Sequence, residues 1–256
     1  MTLAFQPVGN AELSRKLKLV SRCELFRDLD DRALRDLASA SVLSLVRRGD
    51  LLLTPGQPAE ALYVLAEGRV TLFRDTEAGR RVILAIIYPG GVFNETSLVC
   101  SNAQERFAEA TDASTVCRVP RAAIEYILSD RPETRIRLIE MVAQRLVELE
   151  LRLTEVAYLS VPARVAATLL RLSDKGTHPI SLRHSDIAGI VCTYRETATK
   201  ALNEMRAARL IELERCLITV LDPERLAAMA WGGKTSCGPF VLALKTAEDL
   251  VPDDFG

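Results

Sequence analysis

Two histidines, six scattered cysteines and a net charge of -1 leave this 256-residue sequence without the usual marks of a metal centre or a broad basic surface. With no global positive field, any nucleic-acid binding has to come from locally placed cations. The cysteines are Cys23, Cys100, Cys117, Cys192, Cys216 and Cys237, and no two form a Cys-x-x-Cys pair. The ligand spacing of structural zinc and of iron–sulfur clusters is therefore missing. In a reducing compartment, scattered cysteines read as small buried hydrophobes. The longest apolar run, Val82 to Tyr88, falls far short of the roughly 20 residues that span a bilayer. Met1 to Asn10 shows neither the charged nor the apolar region of a secretion signal. These absences predict a cytoplasmic protein with no membrane segment. There is also no phosphate loop, no nucleophile–base pair at a recognisable spacing and no metal-ligand cluster, which argues against an enzyme. No internal repeat or low-complexity segment is present.

What is present is a hydrophobic content of 48% beside a charged content of 26%, an ordinary soluble balance with enough apolar material for sizeable cores. At about 150 residues per domain the length fits one or two domains. Residues 11–40 read as helical, with Leu13, Leu17, Leu25, Leu29, Leu34 and Leu37 set among charges. Residues 41–119 switch to short alternating runs: Ala61 to Leu65, Val70 to Phe73, Val82 to Ile87 and Ser114 to Val119. Gly49-Asp50, Pro55-Gly56, Glu67-Gly68, Ala78-Gly79 and Pro89-Gly90-Gly91 punctuate them. Short strands at such spacing predict a small antiparallel barrel or roll.

Residues 121–159 turn helical again, and Pro132 suits the first position of a second, longer helix. Along it Ile139, Val142, Leu146, Leu149, Leu153 and Val156 recur in steps of three and four, flanked by Arg145, Glu148, Glu150, Arg152 and Glu155. That is a heptad seam of more than two heptads. It fits a parallel coiled coil joining two chains, or one amphipathic helix packed on its own domain. Arg145 falls beside the seam and not in it.

Residues 162–230 form a compact helical segment with a hairpin. Ser185 to Val191 and Tyr194 to Ala208 fit two helices separated only by Cys192 and Thr193. Thr193 is placed to cap the second helix, with Glu196 completing a capping box. Ile187, Ala188, Val191, Ala198 and Leu202 supply an inner apolar face. Such a pair turns the N-terminus of its second helix outward, where a major groove can accept it. Tyr194, Arg195 and Glu196 sit on that first turn and Lys200 one turn later. Arg can pair with a guanine edge and Glu can accept from cytosine. Lys200, Arg206 and His184 are better placed for phosphates, which position without specifying. A solvated helix face with local ion pairs would show the same residues. Leu210 to Leu213, a turn through Glu214-Arg215, and Leu217 to Leu221 read as a hairpin that would make a wing.

Cys192-Thr193-Tyr194-Arg195-Glu196-Thr197-Ala198-Thr199-Lys200 resembles the recognition helix of the cyclic-AMP receptor protein and fumarate–nitrate regulator (Crp/Fnr) superfamily. Pro89-Gly90-Gly91-Val92-Phe93-Asn94-Glu95 and Arg106-Phe107-Ala108 resemble the entrance and Arg-x-Ala element of its effector cassette, and Gly68 and Gly79 fall at its turns. The resemblance spans about residues 20–228 in the family's order. It implies an α+β architecture: a cyclic-nucleotide-binding-like β-roll with an N-terminal helix over 11–130, a dimerisation helix over 131–160, a winged helix-turn-helix over 161–230 and an extension over 231–256. It further implies a homodimer that binds double-stranded, palindromic DNA, with RNA polymerase as a further partner of an activator. Arg195 and Glu196 would read bases, and Lys200 would stand for the family's basic contact residue. Two departures fall in the reading head. Cys192 replaces the turn glycine, which suggests a differently shaped turn, and Arg183 replaces the Ser or Thr cap.

The resemblance also implies an effector pocket at Phe93, Asn94, Glu95, Arg106 and Phe107. Glu95 and Arg106 match the residues that hold ribose and phosphate in cyclic-AMP binders. Asn94 replaces a glycine, Phe107 a serine, and Leu149 and Glu150 stand where adenine is met. These losses argue against cyclic AMP. A pocket in which Glu95 and Arg106 pair with each other, needing no effector, and a pocket for a small anionic metabolite both remain. Haem sensing lacks a histidine, since His178 and His184 lie in the helix-turn-helix part, which leaves Cys23, Cys100 and Cys117 as the axial-ligand candidates, and iron–sulfur sensing lacks clustered N-terminal cysteines. Cys100, between the two cassette motifs, has the position of a redox sensor. A sensor module whose output is another protein is the alternative to a DNA-binding regulator. The segment with Trp231, Phe240, Val241 and Leu244 would either pack on the winged domain or extend from it.

Overall fold

The structure, a computed structural model, describes residues 10–57, 60–98, 105–174, 176 and 178–232. Its contacts divide the chain into two units, Met1–Glu150 and Leu151–Gly256, and one long helix runs through the division.

The first unit begins with α1 (Asn10–Val20), a 3-10 turn at Glu24–Phe26 and α2 (Asp31–Ala40). The leucine spacing predicts one helical stretch here, and the structure breaks it twice. Cys23 is extended, with φ -74° and ψ 125°. Asp30 is extended too, and its carboxylate accepts the Ala33 amide at 2.8 Å, which caps α2. Eight strands follow: β1 (Val42–Val46), β2 (Leu51–Leu53), β3 (Ala61–Glu67), β4 (Val70–Asp75), β5 (Arg81–Ile87), β6 (Val92–Phe93), β7 (Phe107–Ala110) and β8 (Ser114–Pro120). They form two antiparallel four-stranded sheets in the orders β1-β8-β3-β6 and β2-β7-β4-β5. Each half of the roll pairs strands distant in sequence, as when Leu62 of β3 sits opposite Val119 of β8.

Strand alternation divides the apolar residues between two cores. Leu65 and Val116, with Val70, Leu72, Phe93 and Ala108, fill the space between the sheets. Leu62, Val64, Cys117 and Val119 project from the other face of their sheet, against Phe26, Leu34 and Leu37. Ile124 and Ile127 of α3 (Arg121–Asp130) and Leu138 of α4 (Pro132–Tyr158) complete this second core. The sheet holding β3 is thus covered on both faces. Burial pushes the Cys23 and Cys117 thiols up to about 11, so both stay protonated, inert core groups.

At 27 residues α4 is roughly 40 Å long. It starts at Pro132, as the sequence predicts. Its apolar seam lies in the open, with exposures from 38% at Val142 to 70% at Leu153.

The second unit holds α5 (Val161–Leu172), α6 (His184–Ile190), α7 (Arg195–Ala207), the hairpin β9 (Ile211–Glu214) and β10 (Leu217–Val220), and α8 (Pro223–Trp231). Leu169, Ile187, Leu202, Met205 and Leu226 are buried together as its core residues. Ile180 bridges to Ile218 through two backbone hydrogen bonds of 2.8 and 2.9 Å, adding an outer rung to the hairpin. The hairpin turn falls at Arg215-Cys216, one residue later than the sequence suggests, with Cys216 left-handed at φ 59°. α8 ends at Gly232, also left-handed. Phe240, Val241, Leu244, Cys100 and Cys237 lie outside the described residues. No helix among the described residues is long and apolar enough to cross a membrane.

Gly68 makes the tight turn between β3 and β4 at φ 90°, and a Cβ there would lie 2.3 Å from Ser114 Oγ and 2.5 Å from the Ala113 carbonyl oxygen. Gly79, at φ 69°, has open space around it. Gly68→Ala should destabilise the first unit by about 2–4 kcal/mol, through a backbone clash added to left-handed strain. Gly79→Ala should cost only the strain, about 1 kcal/mol. Urea unfolding of the two variants separates the contributions, and equal losses would remove the clash from the account.

Candidate nucleic-acid interface and sensor pocket

The reading head is built from α6, α7 and the turn between them. Ile187, Ala188, Val191, Ala198 and Leu202 are all buried and hold the two helices together. The turn closes as a glycine-type helix end would. The Val191 amide donates to the Ile187 carbonyl, and the Thr193 amide reaches back to the Ala188 carbonyl, each at 3.0 Å. Cys192 sits between them at φ 54°. The turn therefore keeps the left-handed shape that glycine would give it, contrary to the expectation of a changed turn. Holding a residue with a Cβ there costs roughly 1–2 kcal/mol. Cys192 and Cys216 are both exposed, so the buried-hydrophobe reading holds for Cys23 and Cys117 but not for these two.

The cap of α7 also differs from expectation. Tyr194 occupies the cap position, and no side chain caps the helix. Thr193 lies one residue too early, so Glu196 stands at the second helical position and the expected capping box is absent. Among the described residues the side chains of Arg195, Glu196 and Lys200 make no hydrogen bond or ion pair, and all three residues are exposed. A solvated face laced with local ion pairs is therefore not what α7 presents. Its outer surface is an open groove lined by Arg195, Glu196, Thr199, Lys200, Asn203 and Glu204. Asn203 adds a donor–acceptor amide that the first-turn pattern did not single out, although it lies on the same face at helical spacing.

Beside this groove a second pocket of about 350 Å³ is lined by Arg183, His184, Ser185, Arg195, Glu214 and Cys216. Arg183 precedes α6, and its side chain makes no cap; instead its amide donates to the Asp186 carboxylate at 3.0 Å. His184 Nδ1 lies 3.2 Å from Thr199 Oγ1, tying α6 to α7. Partial burial, and then the nearby Arg195 charge, hold the His184 pKa below its ordinary value. Arg206 is exposed in the last turn of α7. Arg183, His184 and Arg195 thus converge on one pocket, while Lys200 lies farther along α7.

In the first unit the five expected pocket residues separate into different roles. Phe93 is a core residue stacked on Tyr63, with centroids 5.0 Å apart. Asn94 adopts φ 72°, replacing glycine in conformation, and its amide donates to the Ala61 carbonyl at 2.7 Å. Phe107 stacks on its cross-strand partner Phe73 at 4.9 Å, with Arg81 over the Phe73 ring. Both aromatic rings lie outside the apolar cluster that holds their neighbours Leu72 and Ala108. Asn94 and Phe107 are thus engaged elsewhere and are not simple bulk in a pocket.

Glu95 and Arg106 remain, joined by a residue that the sequence placed merely beside the seam. Arg145 of α4 pairs with Glu95 Oε1 and donates to the Val92 carbonyl at 2.8 Å. Glu95 is buried, and its Oε2 has no hydrogen-bond partner. Burial lowers the Arg106 pKa, while the Glu95 charge opposes that shift and the Arg145 and Arg74 charges add to it. Glu95 is therefore held by Arg145, a third member that the pair expected from sequence did not include. Only the charge on an otherwise seam-flanking helix position could have signalled Arg145, because Glu95 lies 50 residues away.

Residues 44–131 match the cyclic nucleotide-binding domain family, and residues 163–229 match the Crp-like helix-turn-helix domain family. The chain is 28% identical over 221 residues to the CRP-like cAMP-activated global transcriptional regulator of Mycobacterium tuberculosis, covering 83% of this chain and 99% of that one. It is 30% identical over 178 residues to the cAMP-activated global transcriptional regulator of Salmonella typhimurium, covering 66% of this chain and 84% of that one. A solved CRP/FNR-family transcriptional regulator of Thermus thermophilus superposes with a TM-score of 0.61 at 28% identity, covering 74% of this chain and 98% of that one. With a β-roll of the nucleotide-binding type, a long helix and a winged helix-turn-helix in the same order as these relatives, the chain belongs to the Crp/Fnr family of transcription regulators.

Proposed function

We propose that this regulator acts as a homodimer on a two-fold symmetric DNA site and does so without cyclic AMP. The carrying observation is the outer face of α7, where Arg195, Glu196 and Lys200 are exposed and unpaired beside a pocket of further basic groups. Arg195 and Glu196 are the base readers. Arg183, His184, Tyr194, Lys200 and Arg206 address the backbone, and Thr193 supplies the turn before them. Two such heads on a symmetric dimer would meet half-sites about 10 base pairs apart, one helical turn.

The dimer rests on the α4 seam. Ile139, Val142, Leu146, Leu149, Leu153 and Val156 put a stripe of large apolar side chains into solvent, and a second copy of the same helix is the partner that heptad spacing fits. RNA polymerase is a further partner in the activating case.

Several residues favour independence from cyclic AMP. Arg145 already takes one oxygen of Glu95, and Leu149 and Glu150 offer no hydroxyl pair to a base. The half-buried guanidinium at Arg106 suits an anionic group, which a small metabolite supplies without a base. The alternative output, a protein partner instead of DNA, would have to use the exposed apolar stripe of α4 that the homodimer takes.

Random-site selection with purified, ligand-free protein is the direct test. A recovered palindrome whose affinity is unchanged by added cyclic AMP supports the proposal; enrichment only with the nucleotide would overturn its effector part. Arg195→Ala should weaken specific binding by about 1–3 kcal/mol and relax one base position in each half-site. An unchanged base preference would remove Arg195 from base reading. Leu146→Glu should shift the protein to monomer in sedimentation, because it places a charge in the middle of the seam. A dimer that survives this change would point to another interface.

The His184 pKa gives the expected pH dependence its sign. In the free protein it is held below about 6.5, so the ring is neutral at pH 7.5. A phosphate beside it would favour the imidazolium and raise the pKa in the complex. Binding then takes up a proton, and affinity should rise as pH falls from about 7.5 toward 6. His184→Gln should flatten that slope in a fluorescence titration; the same slope in the variant would exclude His184 as its source.

A further inference from the structure

The last two turns of α4 carry polar side chains that serve the reading head. At the C-terminus of α6 the turn satisfies the Ile187 and Ala188 carbonyls through Val191 and Thr193. The Ile190 carbonyl, on the last residue of α6, is instead met by the Arg152 guanidinium of α4 at 3.0 Å. A cation at this end of a helix also opposes the negative end of its dipole. One helical step along α4, Glu155 is buried and accepts two hydrogen bonds from Arg171 of α5, at 2.8 and 3.3 Å. Arg171 also reaches Thr168 at 3.4 Å. Arg152 and Glu155 therefore each hold one helix of the head, α6 and α5. The adjacent stripe of α4 carries Leu153 and Val156, the last two residues of the exposed seam.

We propose that Arg152 is a positioning residue for DNA recognition: its bond to the Ile190 carbonyl fixes the angle at which the end of α4 presents the reading head, and so the half-site spacing that the homodimer accepts. This rests on the homodimer reading above. Arg152 touches no base-reading side chain, and the α6–α7 turn has its own backbone closure. Loss of the guanidinium leaves the Ile190 carbonyl to the Cys192 thiol, 4.0 Å away, and a reading head with its base contacts intact. What is lost is the link between a seam helix and the turn that aims α7. Glu155 and Arg171 keep the other link, so the head remains attached but gains freedom about it.

The test is selection from a library in which two copies of the wild-type half-site are separated by variable spacers, with full-length protein. Wild type should show one dominant spacing. Arg152→Ala should keep the same half-site bases, bind the best-spaced site about tenfold more weakly and spread over neighbouring spacings, as expected for loss of one charged hydrogen bond. Arg152→Lys, which retains a donor, should recover much of the spacing preference and guards against a variant that fails to fold. An unchanged spacing profile in both variants would overturn the inference. So would an equal loss at every spacing, with a lower melting temperature and no recovery by lysine, because that pattern marks a role in stability alone. If wild type itself selects no paired half-site, the homodimer reading fails and takes the inference with it. A wild-type palindrome with an indifferent Arg152→Ala sinks only the inference.

Discussion

α4 has to divide its circumference among environments that demand different chemistry. Side chains recur on one face every three or four residues, so a long helix offers several stripes set at about 100° per residue. One stripe is apolar and exposed, from Ile139 to Val156. Others put Leu138 into the first unit's core, Arg145 on Glu95, Arg152 on the Ile190 carbonyl and Glu155 on Arg171. Within each unit, turning its stretch of the helix by one residue about the axis would break the contacts made there. The polar partners thus fix which residues remain in the open, and the apolar seam is a consequence of that register as much as of its own spacing.

The near-zero net charge conceals a division of charge chemistry along the chain. In the β-roll many basic groups face carboxylates, as in Arg81 with Glu109 at 2.6 Å and Arg74 with Glu105 at 2.8 Å. Exposed pairs of this kind contribute little to stability, about 0–1 kcal/mol each. Their effect is to cancel field locally. Around α7 the cations Arg195 and Lys200 have no such partner among the described residues, although Glu196 and Glu204 line the same groove, so their charges are left without a direct ion pair. Composition averages over pairing, and pairing decides where a polyanion meets charge.

How much could be read from sequence followed the range of the interaction involved. Period-two alternation marks β3 and β8, and three-four spacing marks α4, because each signal lies within a few residues. The two-residue β6 and three-residue β2 carry too few residues for a period and exist because longer neighbours pair with them. The breaks at Cys23 and Asp30 were hidden by leucines that keep a helical rhythm across a bend. The reading-head residues were visible because they cluster on one helical turn. The Thr193 cap failed because helix start depends on one backbone angle, and Tyr194 rather than Thr193 is the last extended residue. The largest omission was Arg145, whose partners Glu95 and Val92 come from a strand and turn some 50 residues earlier. No local pattern ties those positions together. Equally, the stacking of Phe107 on Phe73 joins strands 34 residues apart and leaves no local trace in the sequence.

The entrance to the sensor pocket is fastened on both sides of Glu95. Val92 and Phe93 are paired to β3, Asn94 is bonded to Ala61, and Arg145 holds both the Val92 carbonyl and the carboxylate. A site already ordered in this way cannot signal occupancy by becoming ordered. Any molecule seeking Glu95 Oε1 must compete with a guanidinium that belongs to α4, so the exchange there is one of partners, not of order. Whatever displaces Arg145 changes the free energy of that helix's register, and by thermodynamic reciprocity whatever fixes the register changes the affinity for the displacing molecule to the same degree.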